Sequence, residues 1–265
     1  MKRLLRRALH DGLQLYNRIF NRRFAEIARD TRGMLNPLVY RRLYKLAYRL
    51  PDLPIVEIGG AAGSGSIALA LGMKESGKQS KLIVVEKMEG GSRIVIGGYN
   101  ENLEHVLGNF RRYGVEDTIK LYPHELTLEN GHEVVALAGG KIAAFMHDAD
   151  GRLDRDFALF WPILMPGGAI VIDDYANQAN YQPISPGHPQ GGTKHVMTYR
   201  LLNQIMSWGL FARDWRFRNT LFGHKPANAD FTRFDPRACA AIAAQVERDR
   251  AAAVEGGAGA IPVHA

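Results

Sequence analysis

The sequence predicts an α/β fold: a doubly wound, mostly parallel sheet preceded by a helical arm. Two observations predict it. From residue 54 onward, short continuous apolar runs alternate with stretches of helical period, the signature of parallel strands buried on both faces. Right-handed crossovers then fix the double winding. Before residue 51, Leu5, Leu9, Leu13, Tyr16, Phe20, Phe24 and Ile27 recur at steps of three and four, which is one face of a helix.

The elements follow in order. A second helix is expected over residues 38–50, opened by Pro37 and stopped by Pro51 and Pro54. Ile55–Ile58 reads as a strand, followed by a Gly-rich turn and a helix over 66–75. Strands are expected at Leu82–Val85, Ile119–Tyr122, 142–146, 169–172 and, near an edge, 219–223. Helices are expected over 101–113, ended by Gly114, over 155–164, stopped by Pro166-Gly167-Gly168, and over Thr193–Ser207. Three regions result: a basic helical arm or cap at 1–50, a sheet domain at 51–226, and a C-terminal extension at 227–265 that turns Ala/Gly-rich and mobile from about residue 248.

Composition narrows the function classes. With 46% apolar and 23% charged residues over 265 positions, the chain has ordinary globular composition and length enough for a core without metal or disulfide staples. Its single cysteine, Cys239, can form neither an internal disulfide nor a cysteine-based zinc site. No apolar run is long enough to span a bilayer, and Asp11, Gln14, Asn17 and Arg18 interrupt any signal-peptide core. A cytoplasmic protein is the expectation. The net charge of +7 is unevenly placed: residues 1–50 hold 13 Lys+Arg against 3 Asp+Glu, so the arm is basic and the body mildly acidic. The arm's apolar stripe is expected to pack on the main domain. Its basic face, within residues 1–30, would suit peripheral contact with an anionic membrane. No nucleic-acid reading motif accompanies it.

The turn after the first strand carries the binding signal. It reads Glu57-Ile58-Gly59-Gly60-Ala61-Ala62-Gly63-Ser64-Gly65, and the second strand ends in Glu86, 21 residues beyond Gly65. A Gly-rich strand–helix turn places a ligand at the carboxyl ends of the strands, and an acid at that later position can accept bonds from ribose hydroxyls. An adenosine-containing cofactor follows. A phosphate-binding loop is excluded: the stretch Gly72 to Lys78 is followed by Gln79 instead of Ser or Thr, and it precedes a strand. A nicotinamide site fits less well, since counting from Gly59 puts Ala61 and Ser64 where glycines belong.

Acid-x-Gly-x-x-x-Gly over Glu57–Gly63 resembles motif I of the class I S-adenosylmethionine-dependent methyltransferases, whose fold is Rossmann-like. The resemblance extends through Glu86, the Gly114-Val115 turn, Pro166-Gly167-Gly168 before a strand ending in Asp173-Asp174, and a late strand at Asn219 to Pro226. It implies S-adenosylmethionine as cofactor, held by Glu57, Gly59, Gly63, Ser64, Glu86 and Asp148.

A second cluster concerns chemistry. His147-Asp148-Ala149-Asp150 ends one strand and Asp173-Asp174 ends the next, both at the ligand-bearing edge. Carboxylates brought together repel unless a cation offsets them, and oxygen-only donors suit Mg²⁺ or another hard divalent ion. The pattern is similar to divalent-metal sugar and natural-product O-methyltransferases. It implies Asp148, Asp173 and Asp174 as metal ligands and Asp150 as general base. Gly151 departs from the family pattern, which often has a His or a larger residue there. Asp154 and Asp156 read as a solvated first helical turn. His188, His195 and His224 gain no catalytic role from sequence. Residues 181–192 could form a substrate lid, and Tyr175, Tyr181 and Trp208 could line an acceptor pocket or simply pack. The expected reaction is methyl transfer to a hydroxyl of a sugar or natural-product acceptor by a chain able to self-associate. The rivals are a nicotinamide-dependent oxidoreductase and a non-catalytic partner protein with a relic cofactor turn.

Overall fold

The computed structural model describes Gly12, Tyr16 and residues 19–89, 97–177 and 193–255. Leu5, Leu9 and Leu13, residues 181–192 with Tyr181 and His188, and the chain end after residue 255 lie outside the described residues. The helices are α1 (Arg22–Asp30), α2 (Pro37–Arg49), α3 (Ser64–Glu75), α4 (Tyr99–Arg112), α5 (Gly131–Leu137), α6 (Leu153–Phe160), α7 (Thr193–Ser207) and α8 (Pro236–Glu255). The strands are β1 (Ile55–Ile58), β2 (Leu82–Val85), β3 (Ile119–Tyr122), β4 (Ile142–His147), β5 (Leu164–Ile172), β6 (Ala212–Phe217) and β7 (Thr220–His224). They form one sheet in the order β3-β2-β1-β4-β5-β7-β6. The first five run parallel; β7 is antiparallel to β5 and to β6. The order reverses between β1 and β4, and a crevice opens there at the strands' carboxyl ends.

Helices cover both faces. On one side α1, α2 and α3 share a core with alternate strand residues: Phe24, Ile27, Tyr40 and Leu43 meet Ile55, Ile67 and Val84. On the other, α6, α7 and α8 pack over Val56, Phe145 and Ile170. The period-2 alternation of strand side chains explains the split. Asn36 caps α2 by accepting from the Leu38 amide at 2.9 Å, with Pro37 at the first helical position.

Three features differ from the sequence reading. The edge strand is β6, and β7 lies inside it; with Arg213, Asp214 and Arg216 among its six residues, β6 lacks the mostly apolar character that marked the other strands. Helix α6 ends at Phe160 and β5 begins at Leu164, so Pro166-Gly167-Gly168 lies within the strand. Helix α8 continues through Glu255, past the point where the Ala/Gly-rich tail was expected to begin. No helix among the described residues is long and apolar enough to cross a membrane.

Candidate functional site

The crevice begins where β1 ends. Gly59 adopts φ +91°, and a Cβ there would collide with the Asp148 carbonyl, so the turn requires glycine both for its angle and for close passage of β4's continuation. Hydrogen bonds lock these segments: the Gly59 amide donates to the Val85 carbonyl at 2.9 Å and the Asp148 amide to the Ile58 carbonyl at 2.8 Å. Glu86 receives the Ala61 amide at 2.7 Å, so the expected ribose-binding acid is tied to the glycine turn. Glu57 is fully buried beneath the turn and accepts from the Ser66 hydroxyl at 2.5 Å. Burial outweighs that bond and pushes the Glu57 carboxyl up to about 8. Glu57 both braces the turn through Ser66 and lines the crevice.

The crevice is lined by Glu57, Gly59, Gly60, Ala61, Ser64, Asp148 and, from the N-terminal region, Gly33, Met34, Leu35 and Tyr40. This N-terminal wall was absent from the sequence reading. Thr31 fixes it: its hydroxyl donates to the Ile27 carbonyl at 2.7 Å and also meets the Ser64 hydroxyl. The Leu35 amide donates to the Tyr40 hydroxyl at 3.0 Å. The helical arm is therefore one wall of the site. Its only sequence signal was the Arg-Gly-Met-Leu-Asn-Pro turn between two helices.

Beside the crevice, Asp148, Asp173 and Asp174 come together, one carboxylate oxygen from each lying within 4.8 Å of the others. Asp173 accepts from the Thr220 hydroxyl at 2.5 Å, a contact supplied by β7. Asp174 holds a left-handed φ of 60°, unusual for a residue with a side chain and frequent at functional sites. It pairs with Lys194 Nζ at 2.5 Å and His195 Nε2 at 2.8 Å. Lost hydration and the neighbouring carboxylates raise Asp148 and Asp173, with desolvation the larger cause. For Asp174, desolvation works upward, but His195 and Lys194 together hold the carboxyl well below the usual range. Lys194 and His195 carried no functional signal in sequence because they reach the cluster only after the sheet closes.

Asp150 is not brought into this cluster. Arg155 grips it at 2.7 and 3.2 Å, and the Arg152 amide donates to it at 3.1 Å. Burial raises its proton affinity, but the Arg155 charge and the bonds from Arg155 and the Arg152 amide more than offset that and lower it. A carboxylate so paired is a poor proton acceptor, which argues against Asp150 as general base. Asp156 is likewise not a solvated helical residue. It is fully buried, bonded to His147 Nδ1 at 2.6 Å and to Arg155 Nε at 2.8 Å. The Gly151 amide donates to His147 Nε2 at 3.1 Å, which makes Nδ1 the protonated nitrogen. This buried chain fixes the turn over 148–151. Tyr175 packs against Tyr199 and donates to Asn203 at 3.0 Å, and Trp208 packs against Phe234, so both serve the core. His224 pairs with Asp214 at the exposed β6–β7 edge, away from the cluster.

The three carboxylates fit a hard divalent ion by donor type and spacing.

Comparisons with known proteins agree with this fold. The sequence model of a methyltransferase domain matches residues 56–175. No curated protein sequence matches the chain. Among solved structures, an O-methyltransferase from Bacillus cereus in complex with SAH superposes with TM-score 0.58 at 15% identity, over 80% of this chain and 96% of that one. The O-methyltransferase TomG from Streptomyces achromogenes, in complex with SAM, gives TM-score 0.58 at 14% identity, over 82% and 96%. The SAH-bound methyltransferase PaMTH1 from Podospora anserina gives 0.57 at 16%, over 76% and 87%. At these identities the likeness shows a shared fold.

Proposed function

We propose that the protein transfers a methyl group from S-adenosylmethionine to a hydroxyl oxygen of a sugar or natural-product acceptor, assisted by a divalent cation; the match of residues 56–175 to the sequence model of a methyltransferase domain supports this reading. The observation that carries the reading is the juxtaposition of the crevice at the Gly59–Ser64 turn with the cluster of Asp148, Asp173 and Asp174, Asp148 belonging to both. The crevice suits the adenosine end of the donor. Glu86 offers a carboxylate to ribose hydroxyls, the glycine turn lets the backbone approach, and Met34 and Tyr40 close the opposite wall.

The donor supplies a sulfonium methyl open to in-line displacement, and a bound divalent ion supplies acidity to an acceptor hydroxyl, which by itself is a weak nucleophile. Asp148, Asp173 and Asp174 would hold that ion. Thr220 and the His147–Asp156 pair orient the carboxylate-bearing turns. Fixing two reactants in line then supplies much of the acceleration.

Calorimetry with S-adenosylmethionine and S-adenosylhomocysteine, with and without Mg²⁺, followed by a screen of hydroxylated acceptors, tests the reading. Micromolar binding of either nucleoside supports it; NAD binding in their place would favour the oxidoreductase instead. For the arm, Ile19 and Phe20 are 60% and 63% exposed beside the exposed Arg22, which supports contact with an anionic membrane surface. Sedimentation with phosphatidylserine vesicles should fall on the double change Ile19→Ser and Phe20→Ser, and equal sedimentation would remove that role.

A further inference from the structure

The first turn of α7 carries Lys194 and His195, basic side chains at the helix end where the backbone dipole favours anions. Both reach the carboxylate cluster. Lys194 Nζ lies 2.5 Å from Asp174 Oδ2, and Asp148 and Asp173 also act on it electrostatically. The approach depends on Gly151. A Cβ there would meet the Lys194 carbonyl oxygen at 2.8 Å and Met197 Cβ at 3.1 Å, and Gly151 sits at φ +86°. The bare backbone at 151 lets α7 seat closely enough for Lys194 to enter the cluster.

We propose that Lys194 is a tethered cation that occupies the carboxylate cluster and competes with a divalent ion for it. The inference rests on the reading of Asp148, Asp173 and Asp174 as the metal position. The ammonium is a compact point charge, and standing 2.5 Å from Asp174 Oδ2 it occupies the space in which a metal would meet that oxygen. A divalent ion beside a fixed positive charge is also repelled, and more strongly where water is excluded. Metal uptake therefore requires Lys194 to leave Asp174. The pairing also answers a problem of the metal-free protein: three carboxylates this close repel one another unless a cation stands among them.

The test is titration of MnCl2 into the full-length wild type and into Lys194→Met, read by calorimetry and by the electron paramagnetic resonance of free Mn²⁺. Lys194→Met should bind Mn²⁺ about tenfold more tightly or better, equivalent to ~1.4 kcal/mol. Lys194→Arg, which keeps the charge, should stay within about threefold of wild type on the same scale. If Lys194→Met does not fold, Lys194→Gln gives the same comparison. Equal or weaker Mn²⁺ binding by the neutral variants overturns the proposal, as does the absence of Mn²⁺ binding to every variant. S-adenosylhomocysteine is titrated into the same samples. If wild type fails to bind it, the methyl-transfer reading falls, whatever the Mn²⁺ isotherms show.

Discussion

The two halves of the crevice edge are built from different materials. The half at β1 and β2 is a backbone site: a turn whose angles and amides do the shaping, with one acid, Glu86, tied to it. The half at β4 and β5 is a side-chain site, in which Asp148, Asp173 and Asp174 are completed by Thr220, Lys194 and His195. A backbone site is encoded in a few consecutive residues. A side-chain site needs partners from segments that meet only in the fold.

That contrast can be broken at either half. The largest effect is expected at the side-chain half. Asp156→Ala strands Arg155 and His147 without their shared buried partner and should cost about 3–5 kcal/mol in urea denaturation. A loss below about 1 kcal/mol would mean that the network does not brace the 148–151 turn. Gly59→Ala attacks the backbone half and should cost about 2–3 kcal/mol, through both the left-handed angle and the clash with Asp148. It should also abolish S-adenosylhomocysteine binding; a variant that binds normally would show that the turn tolerates a side chain.

A third experiment isolates Glu57. In the fold its carboxyl is raised to about 8 from an ordinary 4.5. Between those values the folded state holds more protons than the unfolded state, so stability falls as pH rises. The contribution is fully present below pH 4.5 and lost through about pH 8, with a slope approaching about 1.4 kcal/mol per pH unit. Glu57→Gln should flatten this part of the profile relative to wild type, and parallel profiles would contradict the assignment. The smallest effect is expected from Glu86→Ala, which should weaken S-adenosylhomocysteine about tenfold, or ~1.4 kcal/mol, with the melting temperature little changed.

The same contrast explains what could be read from sequence. Strands β1, β2 and β3 were legible to the residue because short, mostly apolar runs flanked by turn residues have few alternatives, even with Glu57 in β1 and Lys120 in β3. The glycine turn, Glu86 and the three acids were legible from spacing along single strand ends. Strand β6 was not, because at an exposed edge its alternating Arg and aromatic residues need no continuous apolar run. Asp148 and Asp150, two residues apart, look equivalent in sequence, and only the fold shows Arg155 taking one of them. Lys194 lies some twenty residues beyond the acid pair, and its basic neighbourhood resembled ordinary helix surface. Asp156 shows the limit of local rules: an acid in a first helical turn is usually solvated, and here a histidine from the adjoining strand buries it.

The wall formed by Gly33, Met34 and Leu35 has a practical consequence. Because this short connector borders the crevice, clipping the chain between α1 and α2 would open the pocket instead of shedding an appendage. A protease that cuts there should be slowed by bound nucleoside, so the rate of nicking becomes a label-free gauge of occupancy. Affinity tags or truncations placed near this segment would alter the pocket itself.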